Sequence, residues 1–225
     1  MVANKSMDFS VCVFCGSPEE IERDHVPPKC LFPAPAPNNL ITVPSCRKCN
    51  QSFSKDEEYF RVIVSQIAEA QSHPATRKLL NEKILKSMTR RPKLATKIMS
   101  SVVPVHIYDG EKFMGTGAGF DLENQSFDRV MIKIVKGLLY HEKGIRVSEA
   151  FVVKWNVIHE RIKIAARLHK ALENSPVHAL GDNVFEYQGY VLKGSAASFW
   201  LMRFYLGPTF YAAIFDRSKL EAQNR

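Results

Sequence analysis

The sequence predicts an α+β protein: a small cysteine-stapled N-terminal module of a hairpin and a helix, then a larger domain mixing helices with an antiparallel sheet. Three observations predict it. Two Cys-x-x-Cys pairs, Cys12/Cys15 and Cys46/Cys49, are separated by 30 residues, which is room for a β-hairpin. Phe127, Val130, Met131, Ile134, Val135, Leu138 and Leu139 recur at helical spacing. Three short stretches, near Val184 to Leu192, Phe199 to Tyr205 and Thr209 to Phe215, read as strands.

The module spans residues 8–70 and the basic α+β domain 71–225. Ser54-Lys-Asp-Glu57 has the form of a capping box and opens a helix through about Ala70, with Phe60, Val64 and Ile67 on one face. His73-Pro74 starts a second helix to about Met88, and Pro92 a third to about Ser101. Val105 to Tyr108 and Lys112 to Met114 flank Asp109-Gly110, a hairpin turn. The helix around Phe127 to Leu139 ends at Gly144. Ala150 to Trp155 reads as a strand and Val157 to Leu172 as an amphipathic helix, so that with the later strands the sheet has roughly five members, enough to bury its own core. Gly115-Thr-Gly-Ala-Gly119 lacks a following GK[ST] and reads as a hairpin-to-helix loop, not a phosphate loop. Trp155, Trp200, Phe204, Tyr205 and Tyr211 read as core aromatics in preference to a base-stacking platform. His106, His141, His159, His169 and His178 show no mutual metal-ligand spacing, and His141 and His169 fall where helices end, a favourable place for a cation. There is no internal repeat and no apolar run long enough to span a bilayer.

Four thiolates at this spacing suit a closed tetrahedral zinc site. The start, Met-Val-Ala-Asn-Lys-Ser-Met-Asp, lacks the apolar core of a signal peptide, so a reducing cytoplasm is expected and disulfides are disfavoured. Cys30, in the proline-rich loop, has no partner by spacing and reads as a bystander thiol. Around the knuckles lie Asp24-His25-Val-Pro-Pro, Asn39-Leu40 and Asn50. Singly, Asp24 reads as a turn residue, His25 as a zinc ligand or a solvated imidazole, Asn39 as a turn former and Asn50 as a helix N-cap. Jointly, an oxygen-rich group beside a thiolate staple suits a hard, catalytic divalent cation.

The order and spacing of these residues, over roughly residues 10 to 65, resemble the HNH (ββα-metal) endonuclease family, in its four-cysteine variant with Asn as the third signature residue. The resemblance implies a zinc-stapled ββα-metal module in which Asp24 and Asn50 hold one Mg²⁺ or Mn²⁺ ion. It further implies His25 as the general base, Asn39 as the amide that ties the hairpin and keeps the His25 ring in register, and Cys12, Cys15, Cys46 and Cys49 as ligands of a structural zinc ion. The chemistry agrees: an ion on a carboxylate and an amide stabilises charge on a leaving 3′ oxygen, and an imidazole is a neutral base near pH 7. Two departures stand out. Many members carry a cation shortly after the last signature residue, where this chain has Gln51-Ser-Phe-Ser54, so phosphate contact falls to Arg47, Lys48 or Lys55. The loop between His25 and Asn39 is proline-rich and apolar where many members carry Gly and charge, which suits packing on the second half of the protein.

The chain carries a formal +8, with a pI near 9.3, which favours a polyanionic partner. Residues 1–60 hold six Lys/Arg against eight Asp/Glu, so the cationic excess lies wholly outside the module. The richest stretch is Arg77 to Lys97, including Arg90 and Arg91, which on helices could follow a phosphate backbone or simply face solvent. The expectation is an endonuclease acting on nucleic acid, DNA being favoured by resemblance alone, with no membrane partner and with a second protein or a second copy possible. The alternatives are a non-catalytic zinc-ribbon binding module and the same fold cutting RNA.

Overall fold

Strand β1 (Ile21–His25) pairs antiparallel with β2 (Thr42–Cys46), and helix α1 (Arg47–Gln66) leaves β2 without a linker. Cys46 makes that junction possible. As N-cap of α1 its Sγ accepts from the Cys49 amide at 3.4 Å, so sulfur supplies the acceptor that a Ser or Asp oxygen usually offers. The helix therefore starts seven residues before Ser54, and the capping-box residues lie inside it. A box is only a local preference, and here a hairpin that delivers the chain already turned overrides it. The computed structural model describes residues 8–122, 125–158, 170 and 172–218.

Helix α1 ends in a 3-10 turn (Ala68–Ala70), followed by α2 (Pro74–Leu79), a π-helical turn (Leu80–Ile84), α3 (Leu85–Arg90) and α4 (Pro92–Ser100). His73 caps α2, its Nδ1 accepting from the Ala75 amide at 3.1 Å. Strands β3 (Val102–Asp109) and β4 (Lys112–Phe120) then form a separate two-stranded ribbon. The glycine-rich stretch is strand, not loop. A Cβ at Gly117 would lie 2.8 Å from Ile107 Cδ1, and one at Gly119 2.6 Å from Val105 Cγ1, so the glycines give room for β3 side chains to lie across β4.

Helix α5 (Gln125–Lys143) lies against α1 and precedes a five-stranded antiparallel sheet of order β5-β9-β8-β7-β6. Its strands are β5 (Phe151–Val157), β6 (His178–Leu180), β7 (Phe185–Val191), β8 (Ser198–Phe204) and β9 (Thr209–Asp216). The expected sheet size holds. Strand β6 escapes prediction because three residues carry no periodicity. Val157, expected to open a helix, ends β5; residues 159–169 and 171 of that expected helix, with His159 and His169, lie outside the described residues. No helix among the described residues is long and apolar enough to cross a membrane.

Trp200, Phe204 and Tyr205 are buried in the core and Trp155 packs against it, whereas Tyr211 is half-buried and stacks on Phe199. Phe60 and Phe127 meet with centroids 4.5 Å apart, Phe204 and Phe210 at 5.8 Å, and Trp155 Nε1 donates to Asp128 Oδ1 at 2.8 Å. One continuous apolar cluster runs from Val13, Val26 and Phe32 through α1 and α5 to Trp200 and Ile214, so residues 8–70 and 71–225 share a core. The proline-rich loop seals this union. Tyr205 Oη donates to the Leu31 carbonyl at 2.8 Å, Lys83 Nζ to the Phe32 carbonyl at 2.9 Å, and Phe32 and Pro37 cover Gly181.

The end of β1 is seated on α5 at a glycine. A Cβ at Gly137 would come within 2.5 Å of Val26 Cγ2 and 3.1 Å of Val26 Cβ, and Val26 is fully buried directly after His25. Gly137→Ala is therefore expected to lower stability by about 1–3 kcal/mol through overpacking, despite the better helix propensity of alanine. Urea unfolding is the check; an unchanged or higher midpoint would show that Val26 yields freely.

Candidate metal centre and hairpin site

The first knuckle is a tight turn. The Gly16 amide bonds the Cys12 carbonyl at 2.8 Å and Gly16 takes φ +81°, a left-handed conformation that glycine adopts without strain. The Val13 amide bonds the Pro44 carbonyl at 2.9 Å, which pins this knuckle to β2 and brings it to the second knuckle at the start of α1. The Sγ atoms of Cys12, Cys15, Cys46 and Cys49 all lie within 4.8 Å of one another, with Cys15 and Cys46 at 3.6 Å, and all four are free thiols. A tetrahedral zinc ion with bonds of about 2.3 Å needs sulfurs about 3.8 Å apart. These four cysteines can hold a metal ion, and their spacing is compatible with a zinc module.

The proton affinities agree. Burial works to raise Cys12, but backbone hydrogen bonds from Cys46, Cys15 and Phe14 outweigh it and bring the thiol down to about 7. Burial pushes Cys46 and Cys49 up, helped at Cys49 by the neighbouring thiols. Four sulfurs this close cannot all be anionic without a cation among them, which is the demand a bound metal ion meets. Cys30 stands apart: its Sγ lies 3.5 Å from the Glu57 carbonyl, and burial pushes it up to about 12.

The residues of the divalent-ion expectation sit on the same hairpin. Asp24 is buried and faces α5, where its Oδ1 accepts from Lys133 Nζ at 2.8 Å and its Oδ2, also buried, has no hydrogen-bond partner. Lys133 also donates to Glu57 Oε1. Asn50, in the first turn of α1, donates from Nδ2 to Glu22 Oε2 at 3.1 Å, and Glu22 shares a strand face with Asp24. His25, the last residue of β1, is half-buried and pairs with Thr42. Burial lowers its proton affinity, the Lys29 charge lowers it further, Asp24 opposes and Lys133 adds to the lowering, so the imidazole is neutral at pH 7. Asn39 was expected to brace the His25 ring inside the hairpin; its Nδ2 instead donates to the Ala179 carbonyl of β6 at 3.2 Å, tying the loop to the sheet. No protein-family model, curated protein or solved structure matches this chain.

The cations divide into engaged and outward-facing groups. Arg47 pairs with Glu20 at 3.6 Å, and Arg91 with Glu58. Lys78 and Lys83 donate to loop carbonyls at Ala34 and Phe32, and Lys97 to Ser126. Much of the basic run thus holds the protein together. Lys48, Lys55 and Arg90 are exposed. His141 does end α5, but burial lowers its proton affinity, against the expected favourable cation. A cleft of about 800 Å³ between the proline-rich loop, His73 and Asp182 is lined by none of the cysteines nor by Asp24, His25, Asn39 or Asn50. The sequence offers no reading of Lys133 or Glu22 and reads Glu57 only as a capping-box residue. Only Glu22, two residues from Asp24 on one strand face, left a signal that alternation could have found.

Proposed function

We propose that this protein is a metal-dependent, HNH-type endonuclease that hydrolyses phosphodiester bonds of nucleic acid, DNA ahead of RNA. The observation that carries the reading is one hairpin-helix unit bearing Asp24, His25 and Asn50 directly on a four-cysteine cluster. Asp24 and Asn50 offer the hard oxygens a Mg²⁺-like ion takes, and the partnerless, buried Oδ2 of Asp24 fits that role. When bound, such an ion supplies charge stabilisation for the leaving 3′ oxygen. Neutral His25 takes the proton of the attacking water. The four cysteines would saturate a zinc ion and leave it no open position, so that it would contribute folding stability alone. Exposed Lys48, Lys55 and Arg90 are the contacts proposed for phosphate.

Two observations favour a second reading. The buried Lys133 pair on Asp24 and the Glu22 partner on Asn50 are what these residues would make in a non-catalytic zinc ribbon that only binds nucleic acid. Supercoiled plasmid, single-stranded DNA and RNA, each offered with Mg²⁺, Mn²⁺ or EDTA at measured zinc content, separate the two. The nuclease reading expects metal-dependent nicking or linearisation that EDTA abolishes. Intact, zinc-loaded protein that cuts none of the three under either metal would leave the binding reading in place.

A further inference from the structure

Lys133 is wholly buried, with a side chain 0% exposed, in the middle of α5. An ammonium out of water survives only against opposite charge, and here the opposing groups are Asp24 on β1 and Glu57 on α1. The Phe53 and Phe14 rings lie 5.1 and 5.9 Å from Nζ, so aromatic faces occupy positions that water would otherwise take. The ammonium thus faces two carboxyl groups, Asp24 from the hairpin and Glu57 from α1. The bond from Nζ goes to Oδ1 of Asp24, and Oδ2 is left buried and unpartnered, an arrangement that costs free energy unless a ligand completes it.

We infer that Lys133 is a positioning residue for the divalent ion: it clamps Asp24 through Oδ1, leaving Oδ2 as the ligand atom, while Glu57 balances its charge. The inference rests on the nuclease reading and extends it, because the clamp reaches Asp24 from a helix 109 residues further along the chain and so makes the C-terminal part necessary to the ion site. A lysine that merely filled the core would leave metal affinity to Asp24 and Asn50 alone.

The test is Mn²⁺ binding to the zinc-loaded full chain by electron paramagnetic resonance, with zinc content and thermal unfolding in parallel. Wild type is expected to bind one Mn²⁺, and Asp24→Asn to lose it. Lys133→Met is expected to weaken binding at least tenfold with zinc retained, and Lys133→Arg, which keeps the charge, to recover part of that loss. Should the Met variant fail to hold zinc, Lys133→Arg decides alone: a threefold or greater shift in Mn²⁺ affinity supports the clamp, and unchanged affinity overturns it. Wild-type binding that depends on Asp24 and ignores Lys133→Met overturns the clamp only. Absence of Asp24-dependent binding in wild type overturns the ion site itself, and with it the nuclease reading.

Discussion

Cys46→Ser is expected to release zinc and to destabilise the N-terminal hairpin. Serine is itself a preferred N-cap, so the substitution keeps an acceptor for the Cys49 amide and isolates the loss of the thiolate from the loss of the cap. Structural zinc in small modules contributes on the order of 10–16 kcal/mol of apparent binding free energy at neutral pH, and much of that depends on the fourth ligand. β1 and β2 are a two-stranded sheet of five residues each, so beyond their packing on α1 and α5 the knuckle end relies on the cross-link that a metal ion would supply. Cys30→Ser is the control. Its thiol meets the Glu57 carbonyl outside the cluster, so metal content should stay at one equivalent. Zinc analysis of the two variants beside thermal unfolding checks both statements; full zinc occupancy in Cys46→Ser would remove Cys46 from the ligand set. Acid should act in the same direction as the mutation, since protons compete with the ion for the sulfurs as pH falls.

His25→Ala is expected to lower nucleolytic turnover by about 10²–10⁴-fold while zinc content, Mn²⁺ binding and folding remain as in wild type. The separation follows from position. His25 is the last residue of β1, half-buried, outside the thiolate cluster, and adjacent in sequence to Asp24 but on the opposite strand face. Its lowered proton affinity sets the sign of the pH dependence: a base works deprotonated, so activity should persist downward past neutrality and fall only below the ordinary imidazole value of 6.5. Plasmid cleavage across pH for both proteins is the measurement. A variant that retains wild-type turnover would assign the proton to another group, and one that loses zinc would make His25 structural.

Parts of the fold and of the site differ in how they are written. The cysteine knuckles are legible because each pair spans four residues, where covalent geometry and a left-handed Gly16 leave few conformations, and the ligand set follows from spacing alone. The turn at Asp109-Gly110 and helix α5 are legible for the same local reason. The start of α1 was misplaced because two capping signals compete in one stretch, and the choice between Cys46 and Ser54 lies with the hairpin, not with the helix. The glycine run of β4 is strand where its sequence reads as loop, because its meaning comes from Val105 and Ile107 on the neighbouring strand.

By itself the sequence determined the four-cysteine cluster, the hairpin that joins its halves, helix α5 and an antiparallel sheet of the observed size. Tertiary structure alone decided that Asn39 serves β6, that Lys78 and Lys83 hold the proline-rich loop, and that Lys133 reaches Asp24 from α5. The division has a physical cause. Spacing and periodicity record what neighbouring residues impose on one another. The partner of a buried charge is chosen by which faces pack together, a property that no short window of the chain contains.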